Sequence, residues 1–181
     1  MNIDNEIFLL ERRRTKQKAN LRAKRHTRSW EMNLAVDGFR CVFCGAFVLT
    51  ESLVSGVTNR NHCPYCLWSR HLDSHRAGDR MSACKSSMKP IGLTLKRTRK
   101  KYGLAQCGEL MLIHLCEACG HISINRIAAD DDAKTIIHLF QDSQDSNRVY
   151  LDRYVQEDIR PLEAGDRLLV EARLFGLRTA R

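Results

Sequence analysis

The chain has 181 residues, 43% of them hydrophobic, with a formal net charge of +9 and eight cysteines. That length suits one domain with an appendage, or two very small domains, and no apolar run approaches the roughly 20 residues that cross a bilayer. The start, MNIDNEIFLLERRR, places acids before a short apolar island and lacks a cleavable signal pattern, which reads as a soluble cytosolic protein.

Residues 1–35 form a basic N-terminal arm. They contain no glycine or proline, favour helix by composition, and lose apolar periodicity after Leu10. Residues 11–29 hold nine Lys/Arg against one Glu: Arg12, Arg13, Arg14, Lys16, Lys18, Arg22, Lys24, Arg25 and Arg28. A segment so charged and so poor in apolar residues cannot bury enough to fold alone, and is read as mobile or helical only when bound.

Residues 36–141 hold every cysteine. Six stand as Cys41/Cys44, Cys63/Cys66 and Cys116/Cys119; Cys84 and Cys107 stand alone. Without an export signal, metal ligation is a better reading than a disulfide framework. A thioredoxin-like redox pair would need a βαβ setting, which the pattern lacks. The first two pairs are separated by 18 residues, the spacing of a four-cysteine zinc site. Gly45 follows the first pair, where a knuckle often demands positive φ. Leu67 follows the second, and LWSRHLDSH reads as a helix, with Trp68 and Leu72, and His71 and His75, one turn apart. A knuckle followed by a pair at a helix start suggests a treble-clef finger whose helix dipole would favour the Cys63 and Cys66 thiolates. Arg60 and Arg70 flank that pair and would offset the charge of four thiolates around Zn2+.

The pair Cys116-x2-Cys119-Gly120 repeats the first knuckle and implies half of a second site. Cys84 is its expected third ligand. His114 is the preferred fourth, since it shares a strand face with Cys116; His71 and Cys107 compete. Two zinc ions per chain are therefore expected. Between these pairs KRTRKK supplies a second basic run: Lys96, Arg97, Arg99, Lys100 and Lys101.

Asp130–Asp132 offers an N-cap and first-turn acids to a helix in AKTIIHLFQ. Residues 142–181 read as a C-terminal extension that ends in a β-compatible run after a Gly165-Asp166 turn. The expected fold is thus a small α+β zinc-binding domain of zinc-ribbon or treble-clef hairpins with short helices.

Catalytic zinc keeps an open coordination position, whereas four-cysteine sites are closed. The His-x-Glu tripeptide of zinc deaminases and the His-Glu-x-x-His of zincins are both missing from the sequence. The catalytic candidates are His71, Asp73 and His75, a polar set of the kind a metal-dependent nuclease of the HNH or treble-clef type uses.

The string Arg60-Asn61-His62-Cys63-Pro64 carries a resemblance, and CVFCG at 41–45, RNHCPYCLWSRHLD at 60–73, GDR at 78–80, Cys84, Met88-Lys89-Pro90, HLCEACG at 114–120 and NRIAADD at 125–131 extend it in order. From about 38 to 140 the sequence resembles the RNHCP-domain family of small bacterial proteins. The resemblance implies a zinc-ribbon or treble-clef metal protein without implying a reaction. Cys107 falls outside its pattern, as does the basic arm.

Basic runs beside compact zinc modules suit phosphate-rich folded RNA, in a ribosome- or translation-associated setting, in preference to DNA. Aromatic residues make up only 7% and no RNP-like motif occurs, so base stacking is not expected to dominate. A DNA-binding module, for which no recognition helix is evident, and a protein-interaction module are the other classes.

Overall fold

The fold is built from two antiparallel sheets that grow out of the cysteine turns. A computed structural model describes residues 37–96 and 108–176. Arg12 to Arg28 of the basic arm, Arg97, Arg99, Lys100 and Lys101 of the second basic run, and Cys107 lie outside the described residues. The chain divides into two units, 1–37 and 38–181, and every described strand and helix belongs to the second.

Strands β1 (Gly38–Arg40) and β2 (Phe47–Leu49) pair antiparallel around the first knuckle, with Phe39 opposite Val48. A single helical turn, α1 (Ser52–Ser55), follows and closes on Gly56. The second sheet has the order β3 (Ser69–Arg70), β4 (Ser87–Lys96), β5 (Glu109–Cys116), β6 (Ile122–Arg126), every pair antiparallel. Strand β5 is a near-continuous apolar run and β4 is buried from Ile91 to Thr94, because both faces of the sheet are covered there. Neighbouring strand residues point to opposite faces, so Leu112 and Ile113 head separate clusters. Leu112 packs with Leu67, Leu93, Ile136, Phe140, Leu162 and Val170. Ile113 packs with Ile91, Ile122 and Tyr154. A register shift between Pro90 and Gly92 lets Ile91 join the second cluster while Leu93 joins the first. Pro90, which has no N–H for the ladder, sits at that irregularity.

Helix α2 (Ala133–Ser146) starts where the sequence placed it. Asp132 is its N-cap, accepting from the Thr135 N–H at 3.0 Å, and Ile136, Phe140 and Ser143 are its buried stripe. The helix runs past the expected segment and passes through a 3-10 turn (Asn147–Tyr150) into α3 (Leu151–Gln156). The residues after α3 dock on the free edge of β4, where the Leu162 N–H donates to the Leu93 carbonyl at 2.8 Å and the Thr94 hydroxyl to the Arg160 carbonyl at 2.7 Å.

Two local expectations are corrected. The stretch after Cys66 is not a helix: Leu67 closes a turn, Ser69 and Arg70 pair with Met88 and Ser87 as β3, and irregular chain follows. The ladder bonds of β4 and the closing turn outweigh the helical spacing of Trp68 with Leu72 and of His71 with His75. The C-terminal run after Gly165 is also not a strand. It is α4 (Arg167–Phe175), entered through a 3-10 turn with reciprocal Glu163 and Asp166 capping bonds. Burial of Val170 and Leu174, four apart, against the Leu112 cluster selects the helix. Among the described residues no helix is long and apolar enough to cross a membrane.

Candidate metal centres

Three stretches fold into one backbone turn. In Cys41–Ala46 the Gly45 N–H donates to the Cys41 carbonyl at 3.0 Å, and the Cys41 N–H to the Ala46 carbonyl at 2.9 Å. In Cys63–Trp68 the Leu67 and Cys63 N–H groups repeat those bonds, both at 2.9 Å. In Cys116–His121 they recur from Gly120 and Cys116 at 3.0 and 2.8 Å. The fifth residue takes φ of 74°, 62° and 71° in turn. Glycine adopts that conformation freely; Leu67 tolerates it because its side chain is fully buried in the core.

Two of these turns face one another. Cys41 Sγ lies 3.5 Å from Cys66 Sγ, and Cys44 Sγ lies 3.7 Å from Cys63 Sγ. A tetrahedral zinc with bonds of about 2.3 Å sets its sulfurs about 3.8 Å apart. The four thiols fit that ion, as expected, although the set is a pair of ribbon knuckles without the helix of a treble clef. Backbone N–H groups assist. The Ala46 N–H holds the Cys44 thiol below its ordinary value, and the Phe43 N–H donates to Cys41 Sγ at 3.4 Å. Burial pushes the Cys63 and Cys66 thiols up, so the cation must supply what ionises them.

The third turn meets Cys84 and His71. Cys84 Sγ is 3.6 Å from Cys116 Sγ, and His71 Nδ1 is 3.3 Å from Cys119 Sγ. All four ligand atoms lie within 4.8 Å of one another. Three thiolates and one imidazole form a closed structural set, and the two clusters fit two zinc ions. Burial, then the neighbouring His121, with which the ring stacks at 4.8 Å, lowers the His71 pKa and keeps the imidazole in its ligating neutral form. Cys116 is also held below its ordinary value: burial raises it, but the N–H groups of Cys119 and Ala118 together with the Cys119 and Cys84 side chains lower it further.

His114, the preferred fourth ligand, is not in that cluster. It is fully buried, its Nε2 lies 2.7 Å from the Leu67 carbonyl and its Nδ1 2.9 Å from the Asn125 side-chain nitrogen. Both nitrogens are engaged, and burial drives its pKa down to about 3. His71 reaches the site because β3 ends one residue before it and its N–H bonds the Ser86 carbonyl at 2.9 Å.

The model of the RNHCP domain matches residues 36–137, more than half of the chain. The chain belongs to the RNHCP-domain family. No curated protein and no solved structure matches it. In this RNHCP domain the motif residues around Cys63 form a clamp. The Arg60 guanidinium is buried and bonds Asp130 at 2.6 and 2.7 Å and Asp131 at 3.1 Å. His62 Nε2 meets Asp131 at 2.7 Å. The Asp132 N–H donates to the Pro64 carbonyl at 3.0 Å, joining the second knuckle to the start of α2. Arg60 is therefore taken up by two carboxylates and is not spent on the sulfurs; Arg70 is exposed. Only the order of the motifs along the chain hinted at this clamp, since its partners lie about 70 residues apart.

The polar set weighed for nuclease chemistry is dispersed into other duties. His71 joins the second metal cluster. Asp73 accepts from the Gly78 and Arg80 N–H groups at 2.8 and 3.1 Å, and the His75 N–H donates to Asp79 at 2.8 Å. These bonds fold a loop.

Proposed function

We propose that this RNHCP protein is a zinc-stabilised nucleic-acid-binding protein that engages structured RNA, in a translation-associated and cytosolic setting, chiefly through its basic arm. One observation carries the reading: the cationic charge is concentrated in two short runs of the sequence. Nine Lys/Arg occupy residues 11–29 and five more of the six residues at 96–101. The clusters Cys41/Cys44/Cys63/Cys66 and His71/Cys84/Cys116/Cys119 each supply four ligands and leave metal no open position. That supports a scaffold over a catalyst. A phosphate backbone offers the line of charge that such an arm matches.

Anisotropy titrations of the full chain with a folded RNA and with duplex DNA, over a range of salt, test this. With about five to seven phosphates met, log affinity falls against log salt with a slope of about −4 to −6. RNA binds more tightly, and deleting residues 1–30 flattens the slope while two zinc ions remain. Unchanged affinity and slope after the deletion would make the arm a solubilising or targeting tail. Metal-dependent cleavage of either nucleic acid would replace the proposal with the nuclease reading.

A further inference from the structure

Beside the first metal cluster lies a cavity of about 270 Å³, walled by β1 and by the stretch from Arg60 to Leu72. Arg40, Arg60, Arg70 and Arg80 line it together with Phe39 and Trp68, and no carboxylate does. Arg60 is neutralised by Asp130 and Asp131 and forms the floor. Arg40 and Arg70 are exposed. Four thiolates around a bound Zn2+ would sum to about −2 for the whole centre behind the Cys41 wall. Set against it are Arg40, whose guanidinium donates to the Gly45 carbonyl at 3.3 Å, Arg70 and Arg80.

Arg80 is delivered there by a tightly bonded loop. Asp79 accepts four N–H bonds, from Ser74, His75, Arg76 and Met81, and is held far below the usual carboxylate range by them. Asp73 fixes the Gly78 and Arg80 N–H groups and has an oxygen 4.0 Å from Arg80 Nε. Arg80 itself takes a left-handed φ of 55°, a conformation that persists only where its surroundings impose it. Its guanidinium donates to the Arg60 carbonyl at 3.2 Å, at the cavity. On the aromatic side, Phe43 stacks on Trp68 with ring centroids 4.3 Å apart and planes within 3°. Trp68 is thereby braced as a flat wall.

We propose that this cavity binds one unpaired nucleotide, its base against the Trp68–Phe39 side and its phosphate on Arg40, Arg70 and Arg80. Guanidiniums grip phosphate oxygens in pairs, and aromatic faces accept any base. The nucleotide is either a free monophosphate or an unstacked residue of a single strand. In the second case the inference deepens the nucleic-acid reading and rests on it for the source of the strand.

The experiment uses the full chain with Trp30→Phe, which leaves Trp68 as the sole tryptophan, titrated with adenosine and uridine monophosphates and with a ten-nucleotide single-stranded RNA. Quenching that saturates with either monophosphate, or with the oligonucleotide alone, supports the cavity and identifies the source. Arg40→Glu and Arg70→Glu, both at exposed positions, should each weaken that binding about tenfold or more, with zinc held at two per chain as the check on folding. Arg80→Gln should act in the same direction. A folded RNA that binds wild type and both charge reversals equally, with no saturable quenching by any probe, overturns the cavity and leaves the arm reading standing. Quenching by a monophosphate in a protein that binds no RNA overturns the arm reading and keeps the cavity.

Discussion

The two metal clusters use the same knuckle in different company. The first faces one knuckle with another between a two-stranded ribbon and a core of Cys41, Val48 and Cys63, so two of its three buried residues are themselves ligands. The second pairs a knuckle at the end of β5 with a histidine after β3 and a cysteine before β4, on a sheet whose two faces carry separate apolar clusters. The difference shows what the metal is for. Around the first cluster there is little apolar burial to hold the ribbon without an ion, while the second joins strands that already have a core.

The contrast breaks most sharply at the first cluster. Cys63→Ser should remove one zinc and open residues 38–68 to protease, because structural zinc contributes about 10–16 kcal/mol in zinc-finger peptides, as much as a domain's whole net stability of about 5–15 kcal/mol. Elemental analysis and limited proteolysis read both effects. A ribbon that stays protected without metal would show that its small core suffices.

The clamp between the second knuckle and the start of α2 comes next. Asp131→Asn leaves the buried Arg60 with Asp130 as its one carboxylate partner and removes the carboxylate that His62 meets, which should cost about 3–5 kcal/mol in chemical denaturation. A loss below about 1 kcal/mol, the range of surface pairs, would mean that water replaces the carboxylate.

A paired substitution sharpens the second cluster. His71→Ala should lower zinc from two towards one per chain while β4 and β5 keep their amide protection. His114→Ala should retain both ions yet cost about 1–3 kcal/mol, because the Leu67 carbonyl loses its buried partner. Reversed zinc contents would restore His114 as the ligand.

The smallest effect tests the knuckle itself. A Cβ on Gly45 meets no atom within 4 Å, so Gly45→Ala isolates the backbone cost of φ 74°. Melting of the zinc-loaded protein should report about 1–2 kcal/mol, with zinc unchanged.

Local spacing by itself determined the four thiols of the first cluster, three of the four ligands of the second and the Asp132 cap. These depend on turns and helix caps, which act within a few residues. It also pointed to an α+β domain through its apolar runs and turn signals. It misled where local preference and distant partners disagreed. Leu67 in a glycine's place hid the second knuckle, and with it the fact that each of the three knuckles leads into a strand. The helical spacing of His71 and His75 then stood unopposed, because the strand that claims Ser69 and Arg70 begins at Ser87. The tail turned helical for a related reason: Val170 meets Leu112 and Phe140 only once the sheet exists. His114 and His71 are the same residue type, and the local cue, His114 two residues before Cys116, favoured the wrong one. The sheet separates them: β5 carries His114 inward to the Leu67 carbonyl, whereas the end of β3 brings His71 to Cys119. Ligand choice was thus a tertiary decision, since a metal selects atoms that folding has already brought to within a few ångströms.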